Sequence, residues 1–355
     1  MLIDREIGMK AIYGGLFLGG GGGGSLTGGL EVLEEALKYG GVKLTEIEEF
    51  DGNDIVITAS LVGSPASKEK FVGPKHYKEV YDLYKKIYEG EISGIMTNEM
   101  GAQAITNGWV VSAMVGIPFL NAACNGRAHP TGAMGSMGLS SKEDYVTLQT
   151  AAGGKGEKDV SIVARGTIKA TSEIVRKASI EAGGFVTVLR NPVNIEYIRE
   201  NAAVNSVKKA IELGEIFINN INNLEGILES LSKAIGLEII CRGEVTKFEL
   251  ETKNGLDLGL LNIKSSDDTY EVAFWNEYMT IDNSKNGRIA TFPDLIAILD
   301  EQSGLPIISA EIGKEKKVVL VKVPKCNLLL GKSMFDMGLL SDAEKVMDRD
   351  LIKYF

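Results

Sequence analysis

Cys124, Arg127 and His129 stand within six residues of one another in Asn121-Ala-Ala-Cys-Asn-Gly-Arg-Ala-His-Pro-Thr131. Together they offer a nucleophile, an anion clamp and a general base. A cysteine beside a histidine and an arginine has its thiol pKa drawn down toward the reactive range. The same residues suit a second chemistry, with Cys124 and His129 as two ligands of a zinc ion and Glu99 or Glu69 completing the shell. The plain alternative packs Cys124 as a small hydrophobe and uses His129 to fix the loop. Spacing alone leaves all three open. Glu99, just past an apolar run in Asn98-Glu-Met-Gly-Ala-Gln103, is an acid/base candidate or a cap for the next helix. Glu69, between Lys68 and Lys70, is counted with Asn125 among the substrate-binding residues, against its reading as a solvated surface charge. His76 reads as plain surface, and Cys241 and Cys326 as core.

A second feature is the run of six glycines, Gly19–Gly24, inside Leu16–Gly29. It follows a helix-like stretch, Arg5–Leu18, and not a strand, so the dinucleotide fingerprint is not met. No Gly-Lys-Ser/Thr follows it, so a phosphate loop of the Walker type is not met either, and no nucleotide cofactor is expected. Two readings remain. The backbone of Gly21, Gly22, Gly23, Gly24 and Ser25 lines a ligand cleft, with N–H groups at the start of a helix over about Gly28–Tyr39 capped by Ser25 or Thr27. Otherwise the run is a tight crossing that tolerates no side chain.

These residues need elements to hold them. Ile55–Thr58, Gly94–Thr97, Pro118–Asn121 and Val160–Ala164 read as strands. The stretches His76–Tyr88, Ala102–Val115 and Thr171–Glu181 between or after them carry helical spacing. Strands alternating with helices imply a parallel sheet covered on both faces, with ligands bound beyond the carboxyl ends of its strands. After a helical segment over about Glu196–Lys233, the pattern changes to short alternating runs at Ile239–Val245, Leu258–Ile263, Tyr270–Trp275 and Val318–Val323, with a turn at Lys253-Asn-Gly255. These predict an antiparallel β-barrel-like domain. The expected division is residues 1–235 as a three-layer αβα domain carrying the site and 236–355 as the β domain, its tail packing back. Phe274–Met279 is expected in the core.

Composition narrows the class. A net charge of −10 without a basic stripe argues against nucleic-acid binding. No apolar run reaches the roughly 18 residues of a membrane helix, and the N-terminus lacks a secretory pattern. Three widely spaced cysteines suit a reducing cytoplasm. Two histidines rule out a histidine-rich metal cage.

The motifs in their order resemble the S-methyl thiohydantoin desulfurase family over nearly the whole chain. The resemblance is carried by Leu18–Gly24, Gly63-Ser-Pro65 with Glu69-Lys70, Glu99-Met-Gly-Ala102, Gly126-Arg-Ala-His-Pro130, Asn276-Glu277 and Pro293-Asp294-Leu295. It implies a three-layer α/β domain plus a barrel-like β domain, and hydrolysis on a hydantoin-like ring assisted by zinc. The chain departs from the family at Asn121, Ala123 and Thr131, where acidic residues are usual, and at Cys124 and His129, which are new. The expectation is a cytoplasmic, homo-oligomeric hydrolase or lyase acting on a small cyclic amide or thioamide, with Glu99, Cys124, Arg127 and His129 as its catalytic set. The alternative is a non-catalytic ligand-binding or accessory subunit of a hydantoinase/oxoprolinase-type partner.

Overall fold

A computed structural model describes residues 1–64, 67–253 and 256–355. Pro65 of the first expected loop and the expected Asn254-Gly255 turn lie outside the described residues.

The first half runs β1 (Leu2–Ile3), α1 (Arg5–Leu18), α2 (Leu26–Leu37), β2 (Val42–Thr45), β3 (Ile55–Gly63), α3 (Pro74–Ile87), β4 (Gly94–Glu99), α4 (Trp109–Val115) and β5 (Phe119–Asn125). It continues with β6 (Thr147–Gly153), β7 (Val160–Gly166), α5 (Ile168–Glu181), β8 (Phe185–Asn194), α6 (Ile195–Asn201), β9 (Ala203–Val204), α7 (Ser206–Asn219) and α8 (Leu224–Ile235). The strand order is β1-β2-β5-β4-β3-β8-β6-β7, with β9 on β5. Strands β2, β5, β4 and β3 pair in parallel at the centre, and β8, β6 and β7 extend the sheet in antiparallel fashion.

Side chains alternate across a strand, and the central strands here are apolar on both faces. Ile57, Ala59, Ile95, Phe119 and Ala123 pack under α1, α2, α3, α4 and α7. Val56, Met96, Leu120, Ala122 and Cys124 face α6 on the other side, while α5 closes over β6 and β8 through Val175. The three layers follow from that two-sided pattern. Helix α1 lies hard against α7 because glycine removes the side chains between them. A Cβ on Gly14 would fall 1.8 Å from the Ala210 carbonyl oxygen, and one on Gly214 would fall 1.6 Å from that of Lys10.

The second sheet has order β14-β13-β12-β11-β10-β16-β15 and is antiparallel throughout. Its strands are β10 (Glu238–Lys253), β11 (Leu256–Lys264), β12 (Thr269–Trp275), β13 (Glu277–Asn283), β14 (Gly287–Thr291), β15 (Leu295–Asp300) and β16 (Lys317–Val323). One face of β15 and β16 (Leu295, Ala297, Leu299, Val319, Val321 and Val323) joins the core of α1, α7 and α8. The alternate residues Ile296, Ile298, Val318 and Leu320 fill the core of the curled sheet itself. Helix α9 (Met337–Met347) belongs to a further apolar cluster against β12 and β13, so the tail folds back.

The expected fold class is the one found. Two placements differ from expectation. His76 is fully buried: its Nδ1 accepts the Gly73 N–H at 2.9 Å at the start of α3, and its Nε2 lies 3.1 Å from Asp159. Cys241 is buried in β10, but Cys326 is exposed. Among the described residues, no helix is long and apolar enough to cross a membrane.

Candidate active site

A cleft of about 790 Å³, open mouth included, lies where the carboxyl ends of the central strands meet α5 and the second sheet. Its polar lining comes from separate elements, each fixed locally. Strand β4 delivers Asn98 and Glu99. The loop after β5 delivers His129, Pro130 and Thr131, strand β8 delivers Arg190, and the turn between β12 and β13 delivers Asn276 and Glu277.

The glycine run is the hinge of this arrangement. It closes α1 with Gly20, Gly21, Gly23 and Gly24 all at positive φ, a region glycine enters without strain. The Gly23 carbonyl then accepts from the N–H groups of Gln103 (3.0 Å) and Ala104 (2.9 Å), pinning the run to the loop after Glu99. The carbonyls of Gly20 and Gly21 accept from the N–H groups of Tyr278 in β13 (2.7 Å) and Ser309 in the segment between β15 and β16 (2.8 Å). Gly23 and Gly24 line the cleft, Gly21 packs on the Tyr278 ring, and a Cβ on Gly22 would lie 2.0 Å from Glu277 Oε1. The run is a tight crossing whose end reaches the cleft: of the expected lining stretch, Gly23 and Gly24 border it, while Gly21, Gly22 and Ser25 do not. Ser25 caps α2, its Oγ accepting the Gly28 N–H at 3.1 Å.

Glu277 is aimed by its neighbour. Asn276 sits at φ 56°, its N–H donates to the Asp257 carbonyl at 2.7 Å, and its Oδ1 accepts the Asp257 N–H at 2.9 Å. The surrounding Phe274, Trp275, Tyr278 and Met279 are core, as expected. Across the cleft, Glu99 Oε2 accepts the His129 backbone N–H at 3.1 Å and lies 3.3 Å from His129 Nε2.

Burial sets the charges. It raises the Glu99 carboxyl to about 7, against the pull of the His129 N–H, Arg190 and Arg127. It raises Glu277 well above the usual carboxylate range, and the negative charge of Glu99 adds to the rise. It lowers His129 to about 3, with Arg190 acting in the same direction. His129 is thus neutral, and its approach to Glu99 is not an ion pair. Among the described residues, His129 Nδ1 and Nε2, Glu277 Oε2 and Arg190 Nε have no hydrogen-bond partner although buried. Buried polar atoms are ordinarily satisfied, so this cluster is chemically open toward the cleft.

The expected trio of Cys124, Arg127 and His129 is dispersed. Only His129 lines the cleft. Cys124 is still within β5, where alternation turns it to the opposite face and its Sγ contacts Thr58 Oγ1 at 3.3 Å. Burial pushes its thiol up to about 11, the reverse of the lowering that its sequence neighbours suggest. Arg127 points toward the second sheet, donating to the carbonyls of Pro293 and Asp294 and stacking 4.7 Å from the Phe292 ring centroid. Burial lowers it to about 10, opposed chiefly by Glu277. Asn125 donates to the Arg127 carbonyl at 2.9 Å behind the cleft. Glu69 is exposed and paired with Lys158 at 2.6 Å. As for zinc, Cys124 and His129 do not face a common point. Among the described residues, no three of His, Cys, Asp and Glu are grouped to hold a metal. The donor set does not fit that ion, and no step below passes through it.

Glu277, Arg190 and Asn276 were not picked out as site residues from the sequence. Asn276-Glu277 was visible only as a motif of the resemblance, and Arg190 had no signal because β8 was not foreseen. Of the departures from the family pattern, Thr131 lines the cleft. Ala123 lies in the core, and Asn121 is bonded to Glu46, Asn205 and the Lys208 N–H.

The N-terminal domain model of the S-Me-THD-like family matches residues 10–165, and the C-terminal domain model of the same family matches residues 167–337. No curated protein matches the sequence. Among solved structures, a crystal structure of a Chromobacterium violaceum protein superimposes with a TM-score of 0.75 at 16% identity, over 98% of this chain and 97% of that one. At that identity the likeness speaks to the fold alone.

Proposed function

This chain belongs to the S-Me-THD-like family, and from that premise we propose that it hydrolyses the carbon–sulfur bond of an S-methyl thiohydantoin or a closely related cyclic thioamide. The observation that carries the reading is the pair of buried carboxyls, Glu99 and Glu277, that line one cleft, both raised by burial, with the charge of Glu99 raising Glu277 further. Two carboxyls sharing one buried site do not both ionise, so one serves as base while the other keeps its proton.

In this reaction Glu99 enters ionised, and Glu277, which burial and the charge of Glu99 raise well above the usual carboxylate range, carries the proton. Glu99 takes a proton from water as the water oxygen bonds to the ring carbon bearing sulfur. The C=N pair moves onto the ring nitrogen, which takes the Glu277 proton. The C–S bond then breaks, methanethiolate leaves with the proton held by Glu99, and the hydroxyl proton returns to Glu277 as the carbonyl forms. Water is consumed, methanethiol and a hydantoin are released, and both carboxyls regain their starting states. His129 stays neutral throughout, and its Nε2 receives the proton edge of Glu99 whenever that carboxyl is protonated. Arg127 acts from behind the cleft, as a positioning residue for Glu277.

The test is incubation of the purified chain with an S-methyl thiohydantoin in ¹⁸O-labelled water. The expected result is methanethiol together with a hydantoin carrying one labelled carbonyl oxygen. Methanethiol without label, or an unchanged ring, contradicts it.

A further inference from the structure

At the α5 side of the cleft, away from Glu277, stands a second set of groups that the reaction above does not use. Arg190 is only 3% exposed, lines the cleft and has an unpartnered Nε among the described residues. Ser172, on the first turns of α5, also lines the cleft with a buried, unpartnered Oγ. The two meet at Gly132: a Cβ there would lie 2.9 Å from Arg190 Nη1 and 2.9 Å from Ser172 Oγ. Even a methyl group at Gly132 would clash with both, so the glycine lets its loop close onto a guanidinium and a hydroxyl that border the cleft. Arg176, one turn beyond Ser172 on α5, lines the same end of the cleft.

Among the described residues no carboxylate lies within ion-pair distance of Arg190, and the charge of Glu99 offsets its burial only from farther off. A guanidinium so placed is costly, and a ligand anion relieves that cost. The net charge of the chain is −10, so general attraction of anions does not account for cations gathered here. We infer that this end of the cleft is a carboxylate seat, and that the preferred substrate is a cyclic thioamide carrying a carboxylate on its ring substituent. A planar guanidinium fork and one hydroxyl suit a single carboxylate. A doubly charged phosphate would leave negative charge uncompensated toward Glu99. The inference rests on the reading of the Glu99–Glu277 end as the ring site.

The test is calorimetric binding of two hydantoins, one with a 5-(2-carboxyethyl) group and one with the isosteric, uncharged 5-(3-methylbutyl) group. Wild type is expected to bind the carboxylate at least about tenfold more tightly, the scale of one charge-assisted hydrogen-bonded pair. Arg190→Met is expected to remove that preference while keeping affinity for the uncharged ring. Equal binding by wild type, or a preference retained in Arg190→Met, overturns the seat. Should Arg190→Met fail to fold, Ser172→Ala decides: a preference reduced several-fold supports the seat, and an unchanged one overturns it. Turnover of the matching S-methyl thiohydantoins separates the two claims. Arg190-dependent binding without methanethiol release leaves the seat and removes the desulfurising reading. Methanethiol release indifferent to the charge of the tail removes the seat.

Discussion

In the proposed reaction Glu99 is the base, and the fold holds its carboxyl where burial disfavours the charge. Its folded-state pKa of about 7 lies above the ordinary 4.5, so between those values the folded state binds more protons than the unfolded one. Stability therefore falls as pH rises through that window, and the cost persists above it. At about 1.4 kcal/mol per unit, the cost at pH 8 is on the order of 3 kcal/mol. Glu99→Gln is accordingly expected to raise the urea midpoint at pH 8 and to leave it nearly unchanged at pH 4, a trade of stability for function. Equal midpoints for the two proteins at pH 8 contradict this. Activity should show the complementary sign, kcat/KM rising with pH through about 7 as Glu99 ionises, and falling only where Glu277 loses its proton. At this scale the sequence was half legible. Glu99 and His129 were singled out because they lie at or beyond strand ends, whereas β5 was expected to stop at Asn121 and runs on to Asn125, so Cys124 stays in the sheet and alternation turns it to the opposite face. The thiol pKa expected from sequence neighbours was overruled by burial.

Among elements, the glycine run is the joint on which the cleft depends. Its carbonyls are bonded to Gln103 and Ala104 on one side and to Tyr278 and Ser309 on the other. Gly22→Val would place a side chain where Glu277 Oε1 stands. Overpacking of this kind costs roughly 1–3 kcal/mol, less than the roughly 5–15 kcal/mol that holds a domain together. The expected outcome is a folded protein, by far-ultraviolet circular dichroism, with turnover lost. Wild-type turnover in this variant would show that Glu277 need not stand where it does. The contact of α1 with α7 behaves differently. Gly214→Ala meets the Lys10 carbonyl and not a flexible side chain, so the expected result is a fall in urea midpoint larger than any cleft variant gives. Helix α1 was expected over the residues it occupies, and of the two cap candidates, Ser25 and Thr27, the cap is Ser25. Strands β6, β8 and β13, which border the cleft or its neighbours, were among those missed, with β1, β2, β9, β14 and β15. Thr147–Gly153 and Phe185–Asn194 are buried along nearly their full length and show no clean alternation, and Glu277 begins β13 in a stretch read only as aromatic core.

For the molecule as a whole, the cleft is shared between the two sheets, and Arg127 is the charged link between them. Its guanidinium reaches from the loop after β5 to Phe292, Pro293 and Asp294, and its charge lowers the proton affinity of both Glu99 and Glu277. Arg127→Met is therefore expected to move the rising limb of the pH–rate profile above 7, whereas an unmoved limb would leave Arg127 a purely structural residue. The two-sheet architecture was readable from a change of hydrophobic period. The site was less so, because its carboxyl pair joins residues that lie far apart in the chain and meet only when the second sheet packs on α1 and α7. That pairing is the central claim, and the most direct measurement of it is methanethiol release at pH 8 from an S-methyl thiohydantoin by wild type, Glu99→Gln and Glu277→Gln. The account predicts release by wild type and a loss of about a hundredfold or more in each variant, the usual scale for a lost general acid or base. Wild-type rates in either variant, or no release by any of the three, would contradict it.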